Sequence, residues 1–195
     1  MINNTKSGIN IPHKYHQIES EIELYVTELD DAEELFSIID NNRKYLRKWL
    51  PWLDEVKSVE DEKSFILHSH ERLLRGDGVS YSIKFNNSII GIIELNWIDR
   101  QNRRCGVGYW ISEEFIGRGI ITKCCKKLIS HCFNDLGLNS FILEVAKENT
   151  LSRAVAERIG MRLEGIKKDR EWLYDHFVDG AHYSITKNEW KTIDS

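Results

Sequence analysis

The sequence predicts an α/β fold of the α+β type: a mixed, mostly antiparallel central sheet with helices on both faces. Two observations carry the prediction. Segments with a two-residue hydrophobic period come in runs, with helical segments inserted between only some of them, unlike the strict alternation of a doubly wound sheet. A tight Asn86-Asn87 turn also joins two such segments directly, which makes an antiparallel hairpin.

Taken in order, Ile22, Leu24 and Val26 alternate with polar neighbours and predict the first strand. Asp30 or Asp31 caps a helix running to about Trp49, with Glu33 and Glu34 in its first turn, and Pro51 ends the segment. Ser58 with Asp61 forms a capping box for a second helix to about Leu74. Val79, Tyr81, Ile83 and Phe85 make one arm of the hairpin, and Ser88 to Trp97 the other. A strand from Gly106 to Ile111 leads through a glycine turn into the most regular helix of the chain. Its apolar positions Ile120, Ile121, Cys124, Cys125, Leu128, Ile129, Cys132, Phe133 and Leu136 form one stripe. Phe141 to Ala146 is a further strand, and Asn149 opens a short helix that ends at Gly160, where glycine suits a left-handed cap. Three closing strands are expected around Met161 to Gly165, Trp172 to Val178 and Ala181 to Lys187.

The chain has 195 residues, 41% hydrophobic and 30% charged, which suits a soluble protein with a real core. Residues 1–14 are expected to form a loose tail and residues 15–195 a single domain. No apolar run approaches a membrane span and no secretory signal is visible, so the expected location is cytoplasmic, without membrane contact. Cys105, Cys124, Cys125 and Cys132 show neither zinc spacing nor a disulfide framework, and the seven histidines show no ligand pattern, so reduced core thiols and no metal are expected. A net charge of −4 argues against direct nucleic-acid binding.

The segment Gly117-Arg118-Gly119-Ile120-Ile121-Thr122 carries the chemistry. A glycine turn at a helix start gathers backbone N–H groups that have no intrahelical partner, and the helix dipole adds positive potential there, so the place suits phosphate. The nucleoside-triphosphate loop G-x-x-x-x-G-K-[ST] is absent. The dinucleotide fingerprint lacks its third glycine and its early βαβ unit. A diphosphate cradle for coenzyme A is the third possibility.

Gly106 to Thr122, followed by Asn149 to Met161 (NTLSRAVAERIGM), resembles the two central motifs of the GNAT superfamily of N-acetyltransferases. Asn42-Arg43-x-x-Leu46-x-x-Trp49-Leu50-Pro51-Trp52, the Gly108-Tyr109-Trp110 strand and Asp179-x-x-x-Tyr183-Ser184 resemble its Rim-type branch, which includes the ribosomal-protein N-terminal acetyltransferases. The similarity runs from Ile22 to Trp190. Two departures stand out: Glu114 begins the glycine motif where relatives often have Gln or Arg, and Gly106 stands where many carry Glu.

The resemblance implies the GNAT acyl-CoA N-acyltransferase fold and direct transfer of acetyl from acetyl-CoA to a primary amine through a tetrahedral intermediate. The amides from Ile116 to Thr122 would hold the diphosphate, with Arg118 and Lys123 near in sequence. The pantetheine arm would lie along the preceding strand, where Gly106 and Gly108 allow close approach, and a backbone N–H among Tyr109, Trp110 and Ile111 would stabilise the oxyanion. Asn149 would contact the pantetheine amides and Ser152 would face the leaving thiol. The attacking amine must lose a proton. Glu171 is the first candidate base, with Glu94, Glu144, Asp179 and His182 as rivals. Trp49, Trp52, Asp179 and Tyr183 are candidate acceptor contacts, and each also suits a purely structural role.

The first expectation for the acceptor is a protein N-terminal α-amine of the ribosomal-protein-serine type. The alternative is a small amine such as a polyamine, an aminoglycoside or an amino acid. A third reading, of another class, is a non-catalytic acyl-CoA sensor. An exposed strand pair near the C-terminus could support a homodimer.

Overall fold

Eight strands order as β1-β2-β3-β4-β5-β6-β8-β7 in one sheet, and every neighbouring pair is antiparallel except β5 and β6. They are β1 (Tyr15–Glu19), β2 (Ile22–Val26), β3 (Val79–Phe85), β4 (Ser88–Asp99), β5 (Arg104–Ile111), β6 (Ser140–Ala146), β7 (Arg162–Leu173) and β8 (His176–Thr186). The helices are α1 (Ala32–Leu46), α2 (Val59–Arg75), α3 (Ile120–Asn134), α4 (Thr150–Ile159) and α5 (Lys187–Ile193). This computed structural model describes residues 15–193, so the expected tail over residues 1–14 lies outside the described residues.

Helices cover both faces, as the alternation along the strands requires. In β3, Val79, Tyr81 and Ile83 join a core with Cys124, Leu128 and Cys132 of α3. The intervening Ser82 points the other way, toward Thr27 and Asp31. On that second face Leu35 and Ile39 of α1 and Ile66 of α2 pack on Ile92 and Trp110. Asn86 and Asn87 take φ of 49° and 66°, the two positive values that a two-residue hairpin loop demands. The Ser58 hydroxyl accepts the Asp61 amide at 3.3 Å to start α2, and Gly76 (φ 73°) and Gly160 (φ 87°) end α2 and α4 in the left-handed conformation. All four cysteines are buried, and burial pushes the Cys124 thiol up to about 12, which keeps it protonated. Among the described residues no helix is long and apolar enough to cross a membrane.

Four expectations need correction. A strand, β1, precedes Ile22 and pairs with β2. Asp31 does not cap α1 through its side chain; its carboxylate accepts from the Tyr25 hydroxyl and the Glu28 amide. The three expected closing strands are two long ones, because the chain reverses inside the expected Trp172–Val178 segment. Tyr174 (φ 60°) and Asp175 make that turn, pairing Leu173 with His176. Trp172 and Phe177 are exposed there, so no buried face imposed an alternation from which the reversal could be read. Past Thr186 the chain turns helical as α5, anchored by the buried Trp190.

Glu62 of α2 is a buried carboxyl, pushed from its ordinary 4.5 up to about 7 by burial and then by the Asp61 and Glu94 charges. The folded chain therefore keeps a proton that the unfolded chain releases, so between pH 4.5 and 7 this group lowers stability as pH rises, and above 7 its effect is constant. A shift of this size corresponds to on the order of 3 kcal/mol. Between pH 4 and pH 8 the native chain should thus lose on the order of 3 kcal/mol more stability than Glu62→Gln. Denaturant unfolding at both pH values checks this, and parallel losses in the two proteins would refute it.

Candidate active site

Pairing between β5 and β6 stops at Val107 and Leu143, although β5 runs on to Ile111 and β6 to Ala146. The two strands splay, and the alternation of an antiparallel ladder shows which peptide groups face the gap. Ser112 N–H donates to Ile90 C=O at 2.8 Å, so Gly108 and Trp110 bond toward β4 while Tyr109 and Ile111 direct N–H and C=O into the opening. On the far wall Lys147 N–H donates to Asp179 C=O at 2.8 Å, so Leu143 and Val145 bond to β8 and the Glu144 and Ala146 amides face the opening. A wedge with amides on both walls can take an extended, amide-bearing chain as if it were an inserted strand.

The wedge widens into a cavity of about 420 Å³. Most of the anticipated site residues meet on its walls: Tyr109, Trp110 and Ile111 of β5; Ile116, Gly117 and Gly119 of the turn; Ile120, Ile121 and Thr122 of α3; Asn149 and Ser152 at α4; Glu171 of β7; and Trp49 and Trp52 beyond α1. Asn149 caps α4, its side-chain oxygen accepting the Ser152 amide at 3.2 Å. The Tyr109 hydroxyl, kept protonated by burial, donates to Ser152 C=O at 3.3 Å and ties β5 to α4.

Four anticipated residues do not line this cavity. The Arg118 side chain turns back to donate to Glu114 C=O at 3.0 Å and stacks on Phe115. Tyr183 is 1% exposed, with its hydroxyl between Arg153 at 3.0 Å and Glu157 at 3.1 Å, because its position on β8 points it under α4. Asp179, held by Lys168 at 2.7 Å and by the Asp169 amide, lines a neighbouring groove rather than the cavity. Lys123 is paired with Glu19 at 2.8 Å.

The turn into α3 fits a diphosphate. Gly117 and Gly119 take φ of 77° and 75°, and a Cβ added at either would meet nothing within 4 Å, so the space before them is open. Among the described residues the amides of Gly117 through Thr122 have no acceptor, and the Thr122 hydroxyl is buried without a partner. Successive free N–H groups at a helix N-terminus, with a hydroxyl beside them, form an anion cradle.

On the opposite side of the sheet the cavity is lined by Glu94, Glu144 and Glu171. Burial would raise the Glu144 carboxyl, but hydrogen bonds from Lys167, His182 (2.6 Å) and Arg170 (3.0 Å) bring it down to about 2. A carboxylate so firmly ionised is a poor proton acceptor at neutral pH. Its contact with His182 likewise commits that rival. Among the described residues Glu171 has a single ion-pair partner, Arg170 at 3.4 Å, and it is one-third exposed. Gly106 and Gly108 have a different reason from the anticipated one. A Cβ on Gly106 would lie 2.4 Å from the Trp97 indole, and one on Gly108 would lie 2.7 Å from the Asn96 amide, so both glycines make room for neighbouring side chains of β4.

The profile of the Acetyltransferase (GNAT) domain matches residues 22–162. The chain belongs to the GNAT acetyltransferase family. It is 35% identical over 176 residues to YdaF of Bacillus subtilis (strain 168), whose naming as a ribosomal N-acetyltransferase is itself provisional; the match covers 90% of this chain and 96% of that protein. The microcin C7 self-immunity acetyltransferase MccE, solved with acetyl-CoA and AMP, superposes with a TM-score of 0.85 at 30% identity, covering 91% of this chain and 99% of that one. RimL, the ribosomal L7/L12 alpha-N-protein acetyltransferase, solved with coenzyme A, gives 0.87 at 25% identity, with 90% and 99% covered. The chain is thus an N-acetyltransferase that uses acetyl-CoA and carries the GNAT fold.

This GNAT acetyltransferase has a second space beside the cavity. An open groove of about 970 Å³ lies between the end of α1 and the β7–β8 turn, and Trp49 lines both groove and cavity. Its walls are braced by the Arg47–Asp54 ion pair at 2.8 Å and by the Tyr174 hydroxyl donating to Leu50 C=O. The Asn42-Arg43 motif supports the same wall. Asn42 accepts the Glu113 amide at 2.9 Å, and Arg43 donates to Leu53 C=O at 3.2 Å and Val56 C=O at 2.6 Å. Sequence reasoning did not single out Tyr45, Asn96, Arg158 or Arg170, which also line the cavity. Only Arg170 carried a signal, as the cation adjoining Glu171.

Proposed function

We propose that this GNAT enzyme acetylates the α-amine of a polypeptide N-terminus, of the kind represented by ribosomal-protein serine. The observation that carries the reading is the open groove that adjoins the cavity, with Trp49 lining both. A closed pit would suffice for a small amine, whereas a polypeptide must leave the site by an open path. The groove is rimmed by half-exposed charged side chains such as Arg47 and Asp54, as an exit exposed to water would be. The naming of RimL as an L7/L12 alpha-N-protein acetyltransferase supports the same acceptor class.

Residues 15–195 act as one catalytic unit in this reading. Acetyl-CoA supplies an acetyl group activated as a thioester. The amides from Gly117 to Thr122 hold its diphosphate, with the Thr122 hydroxyl beside them, whereas the Ile116 N–H, anticipated among them, donates instead to Glu113 C=O at 3.2 Å. Asn149 and the wedge amides align the pantetheine arm. The Tyr109 and Ile111 N–H groups are the candidates to receive the carbonyl oxygen as negative charge develops on it, since Trp110 bonds toward β4. Glu171 takes the proton from the acceptor amine, and Ser152 serves the departing thiolate. Trp49 and Trp52 wall the acceptor.

Incubation with acetyl-CoA and a panel of peptides and amines, following free thiol, tests the reading. Peptides with a free N-terminus, including an N-terminal serine, should be the best acceptors, and N-acetylated peptides should be inert. Turnover confined to polyamines, aminoglycosides or free amino acids would replace the polypeptide by a small amine. Tight coenzyme binding with no turnover on any amine would overturn catalysis itself.

A further inference from the structure

We propose that Glu94 is the seat of the acceptor's ammonium group, so that one carboxylate holds the nitrogen while another, Glu171, removes its proton. Glu94 stands on β4 opposite Gly108, and both line the cavity. Beside Gly108 the space of a side chain is taken by the Asn96 amide, so Glu94 and Asn96 together form this stretch of the cavity wall.

The carboxylate is held in place from one side. Its Oε2 accepts from the fully buried Ser80 hydroxyl at 2.7 Å and from Arg72 at 3.4 Å. Arg72 is itself fixed by donating to Leu95 C=O at 3.0 Å and by lying against Gly78. Oε1 receives no hydrogen bond among the described residues, and the side chain is 21% exposed. An acceptor with one oxygen fixed and the other free, in a partly desolvated site, is arranged to receive a cationic donor. Glu144 is less available, being committed to Lys167, Arg170 and His182. Behind Glu94 the buried Glu62 places a second acidic group in the same low-dielectric region, and a bound ammonium would relieve that crowding.

Glu94→Gln tests the assignment, because its amide oxygen can still accept from Ser80 and Arg72. The kinetics use whichever primary amine the acceptor panel identifies, so the inference depends on amine acetylation and survives a failure of the polypeptide reading. We expect the KM for the amine to rise about 10- to 100-fold. The kcat at saturating amine should stay within about threefold, and the calorimetric affinity for acetyl-CoA should be unchanged. The rise in KM should shrink at pH values where the amine is already neutral. Loss of kcat at constant KM would instead make Glu94 the base, and an unchanged KM would remove it from the acceptor site; either result overturns the proposal. If the variant fails to fold, the native chain still decides. The acceptor analogue lacking its amine should compete at least tenfold more weakly than an acceptor of the same length, and equal competition refutes an ammonium seat.

Discussion

Gly117→Leu should bind acetyl-CoA at least a hundredfold more weakly than the native chain while remaining folded. A Cβ at Gly117 meets no protein atom within 4 Å, so the new side chain enters the open space where the diphosphate would sit. The φ of 77° adds backbone strain of about 1–2 kcal/mol, which is local and falls outside every helix and strand. Each charge-assisted hydrogen bond from a free amide to phosphate contributes about 1.5–3 kcal/mol, so obstructing two of them suffices for the expected loss. Calorimetry with acetyl-CoA and with free coenzyme A reads the effect, and circular dichroism verifies the fold. An unchanged affinity would remove the diphosphate from this turn and, with it, the placement of the donor.

Glu171→Gln should lower kcat about 10²- to 10⁴-fold, the range typical of a missing general base, with acetyl-CoA affinity intact. The reason is geometric: Glu171 lines the cavity and is paired with Arg170, whereas Glu144 is held at about 2 and Asp179 is bound to Lys168 away from the cavity. The remaining rate should climb with pH as free amine accumulates, since an unprotonated nucleophile needs no base. A variant with native kcat and a native pH–rate profile would assign deprotonation to water or to Glu94. Paired with the Glu94 experiment, the two carboxylates separate by signature, one acting on KM and the other on kcat.

Local features were legible wherever one face of an element is buried or a turn demands a particular backbone. The stripe from Ile120 to Leu136, the Ser58 cap, the Asn86-Asn87 turn and the Gly160 cap all stand where periodicity and turn chemistry put them. The β7–β8 hairpin escaped because Trp172 and Phe177 are exposed on an edge pair, where burial writes no pattern. Gly106 and Gly108 misled for a related reason: a glycine in a strand signals a close approach, but not by what, and here the neighbours are Trp97 and Asn96. Tyr183, though part of a recognisable motif, points under α4, since its direction is set by β8 pairing rather than by adjacent residues.

The sequence alone determined the family, through motifs spread from Ile22 to Trp190, and the glycine turn into α3 and the cap at Asn149, because these two rest on residues adjacent in the chain and on backbone geometry that glycine or a capping side chain dictates locally. Only the tertiary structure decided that β5 and β6 part after Val107 and Leu143, and that Trp49, Glu94, Gly108, Asn149 and Glu171 meet in one cavity. Those residues come from five separate stretches of chain. Their meeting depends on strand register and on the α3 crossover between two parallel strands, and no periodicity within a single segment encodes either.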